Sequence, residues 1–314
     1  MEFTEKLSRR ILQSHVREAE NGMTLLDYLT SHFPRFDESG WLQQIQGKKV
    51  TVNGKTVPPS MELKQHDCVA FYPDESKEPE AKLFYTVVYE DENLLVIDKP
   101  GNLCVHPTGP FFRHTLWYLV GSKYGEIHFI NRLDRETSGL LVAARNIKTA
   151  AKMDNRFFSM HKEYLALVYG IFPGEIHARG WLTADNTSVV PKKKRFYQGD
   201  NPPPGSERVD TELKYEATFA PNFSLVRAIP HTGRQHQIRA TLFSLGFPLV
   251  GDKLYGQDER IFLKIRDRTV SPEDLKLLRM DRQALHSALL TFTHPFSGKT
   301  IHCESQCHFS LLQN

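Results

Sequence analysis

Cysteine and long apolar runs are both scarce in this chain. The 314 residues include four cysteines, too few for the disulfide framework of a secreted protein of this length. No run of about 18 apolar residues occurs, and the first ten residues, MEFTEKLSRR, lack the apolar centre of a signal peptide. We therefore expect a cytoplasmic protein with no membrane partner.

Metal-binding motifs are also missing. Cys303 and Cys307 are close together in IHCESQCHF, but no second ligand pair accompanies them. A metal-dependent hydrolase using His106, His161 and His236 would need a clustered spacing such as HExxH, which does not occur. The sequence therefore predicts no metal site.

The composition is that of a globular protein with room for two domains. Hydrophobic residues make up 40% and charged residues 25% of the chain, which allows a substantial core. The formal charge of +3 is uneven, because residues 1–80 carry 10 Lys and Arg against 13 Asp and Glu, and the rest carries 30 against 24. The later part is the better candidate for a polyanionic partner.

The first 75 residues predict a small unit of two helices and a hairpin. The stretch TLLDYLTSHFP, from Thr24, carries an apolar helical stripe that Pro34 ends. A second helix should end at Gly47, before a hairpin whose turn is the Asn53-Gly54 pair. The strand DCVAFY completes the unit, and the charged residues 76–84 are suited to a linker.

Residues 85–314 predict a larger mixed domain that is rich in strands. Runs such as TVVYEDENLLVID are β-branched and punctuated by turns. Residues 181–206 are polar and include KKKR at 192–195 and NPPPG at 201–205, which indicates a surface loop. The KKKR run is either part of a solvated loop or a contact for phosphate groups.

One carboxylate, Asp134, lies between two arginines in HFINRLDRETSGLLV. If this segment is extended, Arg132 and Asp134 share a face, and the adjacent cation lowers the pKa of the carboxylate. An ionised aspartate suits a nucleophile, whereas a surface ion pair would contribute little. The four residues RLDR alone leave both interpretations open.

A cluster of hydrogen-bond donors follows in HTGRQHQIRATLFSLG. Thr232 and Gln235 have the spacing of a capping box, which predicts a helix that starts there and stops at Gly246. The N-terminus of a helix favours anions, so an RNA phosphate and a protein carboxylate such as Asp134 both fit. The donors near that end would be Arg234, His236 and Arg239.

Five stretches together resemble the RluA-like family of RNA pseudouridine synthases. They occur in the family's order and cover the chain from about residue 85 to its C-terminus. One such motif could arise by chance, whereas five in register are specific. The stretches are LLVIDKPGNLCVHP (94–107), NRLDRETSGLLV (131–142), KEYLALVYG (162–170), HTGRQHQIRATLFSLGFPLVGDKLYG (231–256) and ALHSALLTFTHPFSG (284–298).

The resemblance implies a fold, a reaction and a catalytic set. The fold would be α+β, with a mixed, largely antiparallel sheet and a central cleft in a catalytic domain over 85–314, preceded by a small α+β S4-like domain over 1–75. The family breaks the C1′–N1 bond of a uridine in RNA, rotates the base and reattaches it through C5, without a metal or other cofactor. By match to the family's motifs, Asp134 is the catalytic aspartate, Tyr164 stacks on the target base and Arg239 pairs with the aspartate.

The resemblance also implies RNA contacts around the cleft. Arg132 matches the family arginine beside the catalytic residue. Many family members carry histidine before that arginine, whereas this chain has Asn131, which can still form hydrogen bonds but has no imidazole. The other candidates for RNA contact are Lys99, Arg135, Arg234 and His236.

The expected partner is a structured RNA, either ribosomal or transfer RNA. The intact aspartate, tyrosine and arginine favour an active isomerase over a catalytically silent RNA-binding or ribosome-assembly protein that retains the fold. The S4-like unit would either bind RNA or act as a structural appendage. No coiled coil demands a second subunit, so the sequence is compatible with a monomer.

Overall fold

The computed structural model describes residues 7–74, 78–154 and 158–311. The chain divides into two compact units, Met1–Glu78 and Pro79–Asn314. Among the residues described, no helix combines the length and the apolarity needed to cross a bilayer.

The first unit contains two helices and a three-stranded antiparallel sheet with strand order β1-β3-β2. Thr24 and Asp37 cap the two helices, because their side chains accept hydrogen bonds from the backbone N–H groups of Asp27 and Gly40. Apolar faces of both helices and of the sheet meet in one core that includes Leu25, Trp41 and Val50. The elements are β1 (Leu12–His15), α1 (Leu25–His32), α2 (Glu38–Gln46), β2 (Val50–Val52) and β3 (Cys68–Phe71).

The predicted helices and final strand of this unit are present, but the predicted hairpin consists of its turn and one strand, without a second strand directly after the turn. Asn53 and Gly54 form the expected turn with positive φ angles of 50° and 78°, and Val52 and Lys55 exchange two backbone hydrogen bonds. The chain then reaches two prolines, which cannot donate to a sheet. Strand β2 therefore pairs with one edge of β3. Strand β1, which the sequence analysis did not assign, pairs with the other edge of β3.

The second unit is built on one large sheet. Its central path runs β10-β9-β11-β12-β8-β13-β7-β5-β4, with β14 beside β13 and β6 beside β7. The strands are β4 (Thr86–Glu90), β5 (Leu94–Lys99), β6 (His128–Phe129), β7 (Ser138–Ala144), β8 (Met160–Tyr169), β9 (Glu175–Ala184), β10 (Lys194–Gln198), β11 (Glu207–Ala220), β12 (Phe223–Pro230), β13 (Leu285–Thr293) and β14 (Thr300–Glu304). The helices are α3 (Leu116–Tyr124), α4 (Ile147–Lys152), α5 (Gln237–Ser244), α6 (Arg260–Arg266) and α7 (Pro272–Leu278).

The sheet is antiparallel except where β7 and β13 run parallel at its centre. Every residue of β7 is buried, as expected for a strand that is covered on both faces. The predicted α+β fold with a largely antiparallel sheet is therefore confirmed for this unit.

Gly139 allows the close approach of β7 and β13. It has a φ of +103°, and a Cβ atom built on it would lie 2.2 Å from the backbone oxygen of Ser287. A larger residue would push the two central strands apart, so the glycine in the TSGLL stretch has a structural cause.

The loop predicted over residues 181–206 is wrong in its first part. Strands β9 and β10 pair as an antiparallel hairpin within that range, and the KKKR run is not simply solvated. Lys193 is 4% exposed and its amine donates to Glu259, while Lys194 pairs with Glu207. These basic residues hold the hairpin in place because each has a nearby carboxylate.

Candidate active site

A cleft of about 970 Å³ opens in the second unit, beside the central strands. Three segments form its walls: residues 129–137 before β7, the start of β8, and residues 230–239 between β12 and α5. Each segment belongs to one of the stretches that carry the family resemblance. The fold brings Asp134, Tyr164 and Arg239, which are far apart in the sequence, to one cavity.

Asp134 and Arg239 form an ion pair in this cleft. The Nη1 atom of Arg239 donates to Oδ2 of Asp134 at 2.6 Å, and Arg239 is 8% exposed. Burial alone would raise the pKa of Asp134, but the positive charge of Arg239 and its hydrogen bond lower that pKa below its usual value. The carboxylate is therefore held ionised, with 27% of its side chain exposed. Its cation is Arg239 and not the neighbouring Arg132, which the sequence reasoning from RLDR alone had favoured.

A second carboxylate, Asp252, fixes the direction of the Arg239 guanidinium. It accepts from Nε at 2.7 Å and from Nη2 at 2.9 Å, which leaves Nη1 for Asp134. Asp252 is 1% exposed and also accepts the backbone N–H groups of Leu254 and Tyr255. Residue-level reasoning missed Asp252, although its position in the GDKLYG stretch marked it as a candidate.

Tyr164 lies on β8 and lines the same cleft. It is 8% exposed, and burial raises its pKa to about 12. The phenol therefore stays neutral at physiological pH. A neutral aromatic ring at the cleft wall can stack on a nucleobase.

The helix that carries Arg239 starts later than the capping-box pattern predicted. Helix α5 begins at Gln237, and the residue before it, His236, has a left-handed backbone with φ 60°. Thr232 does not cap the helix, because its hydroxyl donates to the side chain of Gln237. The Gln237 side chain also accepts the N–H of Arg234, so it ties the loop to the helix. The predicted stop at Gly246 is present, one residue after the C-cap.

His236 is neutral in this setting. Burial and the Arg239 charge lower its pKa to about 4, and its Nδ1 forms a hydrogen bond with the Tyr255 hydroxyl at 3.1 Å. It lines the cleft beside Arg234. A neutral imidazole can exchange hydrogen bonds with RNA here, but it does not add a charge.

Lys99 was predicted to bind RNA, and that prediction is wrong. The side chain is 0% exposed, and its amine donates to the backbone oxygens of Pro100, Leu103 and Arg135. Burial lowers its pKa to about 7. Lys99 cannot reach a ligand, but it anchors the loop that follows Asp134.

The remaining predicted RNA contacts divide into two groups. Arg132 and Arg234 line the cleft, whereas Arg135 lies away from its wall, with its guanidinium over the Phe111 ring and donating to Glu136. Asn131, the departure from the family pattern, accepts the N–H of Val142 at 2.8 Å. Its amide nitrogen is buried without a hydrogen-bond partner.

One group with the spacing of metal ligands includes His231, which lines the cleft. Among the described residues, the ligand atoms of His177, Glu212 and His231 lie within 4.8 Å of one another. These side chains already satisfy one another in part, because His231 forms a hydrogen bond with Glu212 and His177 with Asp210. This cluster is separate from Asp134.

Comparisons with known proteins show the family of the chain. Residues 93–244 match the model of the RNA pseudouridylate synthase family. The ribosomal large subunit pseudouridine synthase D of Yersinia pestis is 30% identical over 302 residues, which cover 91% of this chain and 88% of that protein. This chain belongs to the RluA-like family of RNA pseudouridine synthases. It is accordingly an isomerase that acts on uridines in RNA.

Two further relatives extend the comparison. The synthase is 29% identical to the mitochondrial tRNA pseudouridine(32) synthase of Saccharomyces cerevisiae over 249 residues, which cover 75% of this chain and 51% of that protein. The solved structure of human RNA pseudouridylate synthase domain containing 1 superimposes with a TM-score of 0.57 at 22% identity, covering 76% of this chain and 94% of that one. This structural likeness concerns the fold.

Proposed function

We propose that this synthase isomerises uridines of structured RNA with Asp134 as the catalytic carboxylate, Arg239 as its partner and Tyr164 as the stacking surface for the base. The observation that carries the proposal is the 2.6 Å contact between Arg239 and Asp134 in a cleft that Tyr164 also lines.

The reaction requires a base that leaves the RNA stack. Unstacking costs on the order of a few kcal/mol, and stacking on an aromatic side chain returns about 1 to 3 kcal/mol per base. Tyr164 can supply that contact because it is neutral and lies at the cleft wall. Once the base is bound, it excludes water from Asp134.

Arg239 keeps Asp134 ready for chemistry when water is excluded. A buried carboxylate without a cation would take up a proton, and the Arg239 contact opposes this. Three uses of the carboxylate are compatible with this arrangement: attack on C1′, addition to C6, or removal of a 2′ proton after the glycosidic bond breaks. In each case the C1′–N1 bond is replaced by a C1′–C5 bond, the hydrogen on C5 is released to solvent as a proton, and N1 takes up a proton.

The substrate is proposed to be ribosomal or transfer RNA. One relative is named for the large ribosomal subunit and another for tRNA position 32. The cleft residues Arg132, Arg234 and His236 are proposed to contact this RNA. The cytoplasmic location expected from the sequence stays a prediction, since the yeast relative is mitochondrial.

The unit Met1–Glu78 is proposed to be an S4-like module. Its order of two helices followed by β2 and β3 supports this assignment. A domain boundary near Glu78 is compatible with the division of the chain into two units. An RNA-binding assay with and without residues 1–84 would test whether the module contributes to RNA affinity.

Release of tritium from RNA labelled at uridine C5 tests the central proposal. Wild-type protein should release tritium from ribosomal or transfer RNA taken from cells that lack the gene. Asp134→Asn should bind the same RNA but release none, and the control Asp258→Asn should match wild type, because Asp258 is paired with Arg260 outside the cleft. Salt-sensitive RNA binding without tritium release by wild type would instead support the silent RNA-binding alternative.

A further inference from the structure

Lys162 lies on the same face of β8 as Tyr164. Met160, Lys162 and Tyr164 all line the cleft, whereas His161 and Glu163 alternate to the other face, where they hydrogen-bond to each other. Two residues along a strand correspond to about 7 Å. The Lys162 backbone therefore lies about 7 Å along the strand from that of Tyr164, whose ring is proposed to stack on the target base.

The Lys162 ammonium reaches across toward the opposite wall. Lys162 Nζ lies close to Gly233, at 4.0 Å from the position that a Cβ atom on Gly233 would occupy. Gly233 belongs to the segment 230–239 that leads to Arg239 and lines the cleft. The charge is thus inside the cleft, between β8 and this segment.

Lys162 differs from Arg239 and Lys253, because its side chain has no ion-pair partner among the described residues. Arg239 pairs with two carboxylates, and Lys253 donates to Glu136 at 2.6 Å. Within the part of the chain that the structure describes, the Lys162 side chain makes no hydrogen bond and no ion pair. Burial lowers the pKa of its amine, and nothing nearby compensates. An unpaired, partly buried charge is costly, so a bound anion would stabilise it.

We propose that Lys162 binds the phosphodiester that flanks the flipped uridine. This inference rests on the proposed function, because it takes the occupant of the cleft to be RNA. The phosphodiester is the anionic group of RNA, and an ammonium can bind it as a point charge. With the base on Tyr164, the adjoining backbone lies within reach of a cation two residues away on the same strand face. Such a contact positions the nucleotide without reading its sequence.

Variants of Lys162 separate this role from a structural one. Lys162→Met should raise the KM for C5-tritiated RNA roughly tenfold to a hundredfold and leave kcat within about threefold. Lys162→Arg should recover most of the loss, because it restores the charge. The melting temperature of Lys162→Met should equal or exceed that of wild type, since the substitution removes an unpaired charge. Lys299→Met, an exposed change outside the cleft, is the matched control.

The salt dependence of binding gives a readout that does not depend on turnover. Kd for the same RNA, measured between 50 and 300 mM salt, should have a log–log slope smaller by about 0.7 to 0.9 for Lys162→Met than for wild type. An unchanged slope and KM, with normal tritium release, would overturn the phosphate contact and leave the isomerase proposal standing. Absence of tritium release from wild type together with the altered slope would refute the catalytic proposal and support the contact. A lower melting temperature with an unchanged slope would show that Lys162 is structural and would overturn the proposal.

Discussion

Replacing Arg239 with methionine removes one guanidinium from two carboxylates at once. Arg239 makes three charge-assisted hydrogen bonds, one to Asp134 and two to Asp252. The side chain of Arg239 is 9% exposed and that of Asp252 is 0% exposed, whereas Asp134 is 27% exposed. Breaking a buried pair by removing one partner costs about 3 to 5 kcal/mol. We expect Arg239→Met to lose roughly this amount of unfolding free energy.

The same variant should lose catalysis. Without the cation, burial raises the pKa of Asp134 and favours its protonated form, and the carboxylate also loses its orientation. Removal of one preorganised electrostatic partner typically costs about 100-fold to 1000-fold in kcat, and we expect at least this loss. Tritium release under saturating RNA measures it.

The stability difference should depend on pH in a defined direction. Arg239 lowers the pKa of both Asp134 and Asp252 in the folded state. Their contribution is fully present above the unfolded value near pH 4 and is lost as the pH falls through the folded pKa values. The gap between wild type and Arg239→Met, measured by urea denaturation from pH 7 to pH 3, should therefore be largest at neutral pH and shrink in acid.

Arg227→Met is the matched control. Arg227 also pairs with two carboxylates, Glu163 and Glu216, but its side chain is 29% exposed, compared with 9% for Arg239. Exposed pairs contribute about 1 kcal/mol or less. If Arg239→Met cost no more than Arg227→Met and kept activity within threefold, the argument from burial would be refuted.

Three further predictions concern Tyr164, Gly139 and Lys99. Tyr164→Leu should lower kcat/KM by about 5-fold to 150-fold, because about 1 to 3 kcal/mol of base stacking is lost. An unchanged kcat/KM in the tritium assay would exclude stacking on this ring. Gly139→Ala should lower the free energy of unfolding by more than the roughly 1 to 2 kcal/mol that a positive φ costs, because its Cβ would also clash with Ser287. Gly205→Ala, with open space around it, should lose only that amount. Equal losses in urea denaturation would contradict the steric reason. Lys99→Met should destabilise by several kcal/mol, since unpaired carbonyls cost about 1 to 3 kcal/mol each, without altering the salt slope of RNA binding; a changed slope would restore Lys99 as an RNA contact.

The residues of the proposed catalytic set could be named from the sequence, whereas much of the local structure around them could not. Asp134, Tyr164 and Arg239 were identified by their place in sequence motifs. A motif assigns a residue from its neighbours in the sequence, however far apart the motifs lie along the chain. The geometry that joins them depends on Asp252. Its role could not be derived from the local sequence pattern. The residues next to a buried aspartate in the sequence do not show whether its carboxylate binds a metal, caps a helix or pairs with a guanidinium.

Errors occurred where tertiary contacts override local signals. The spacing of Thr232 and Gln235 satisfies a capping box, yet the hydroxyl of Thr232 binds Gln237 instead, and the helix starts late. Lys99 looked like a basic residue available to RNA, but three carbonyls of its own fold surround it. The polar segment 181–206 contains strand β10, whose pairing with β9 overrides the low strand preference of Lys194.

Mapping of pseudouridine in total RNA tests the central claim most directly. Cells without the gene, with wild type, with Asp134→Asn and with Asp258→Asn would be compared by chemical labelling and sequencing. The account predicts at least one site in ribosomal or transfer RNA that is absent without the gene, restored by wild type and by Asp258→Asn, and not restored by Asp134→Asn. Restoration of the site by Asp134→Asn would contradict the assignment of Asp134 as the catalytic carboxylate.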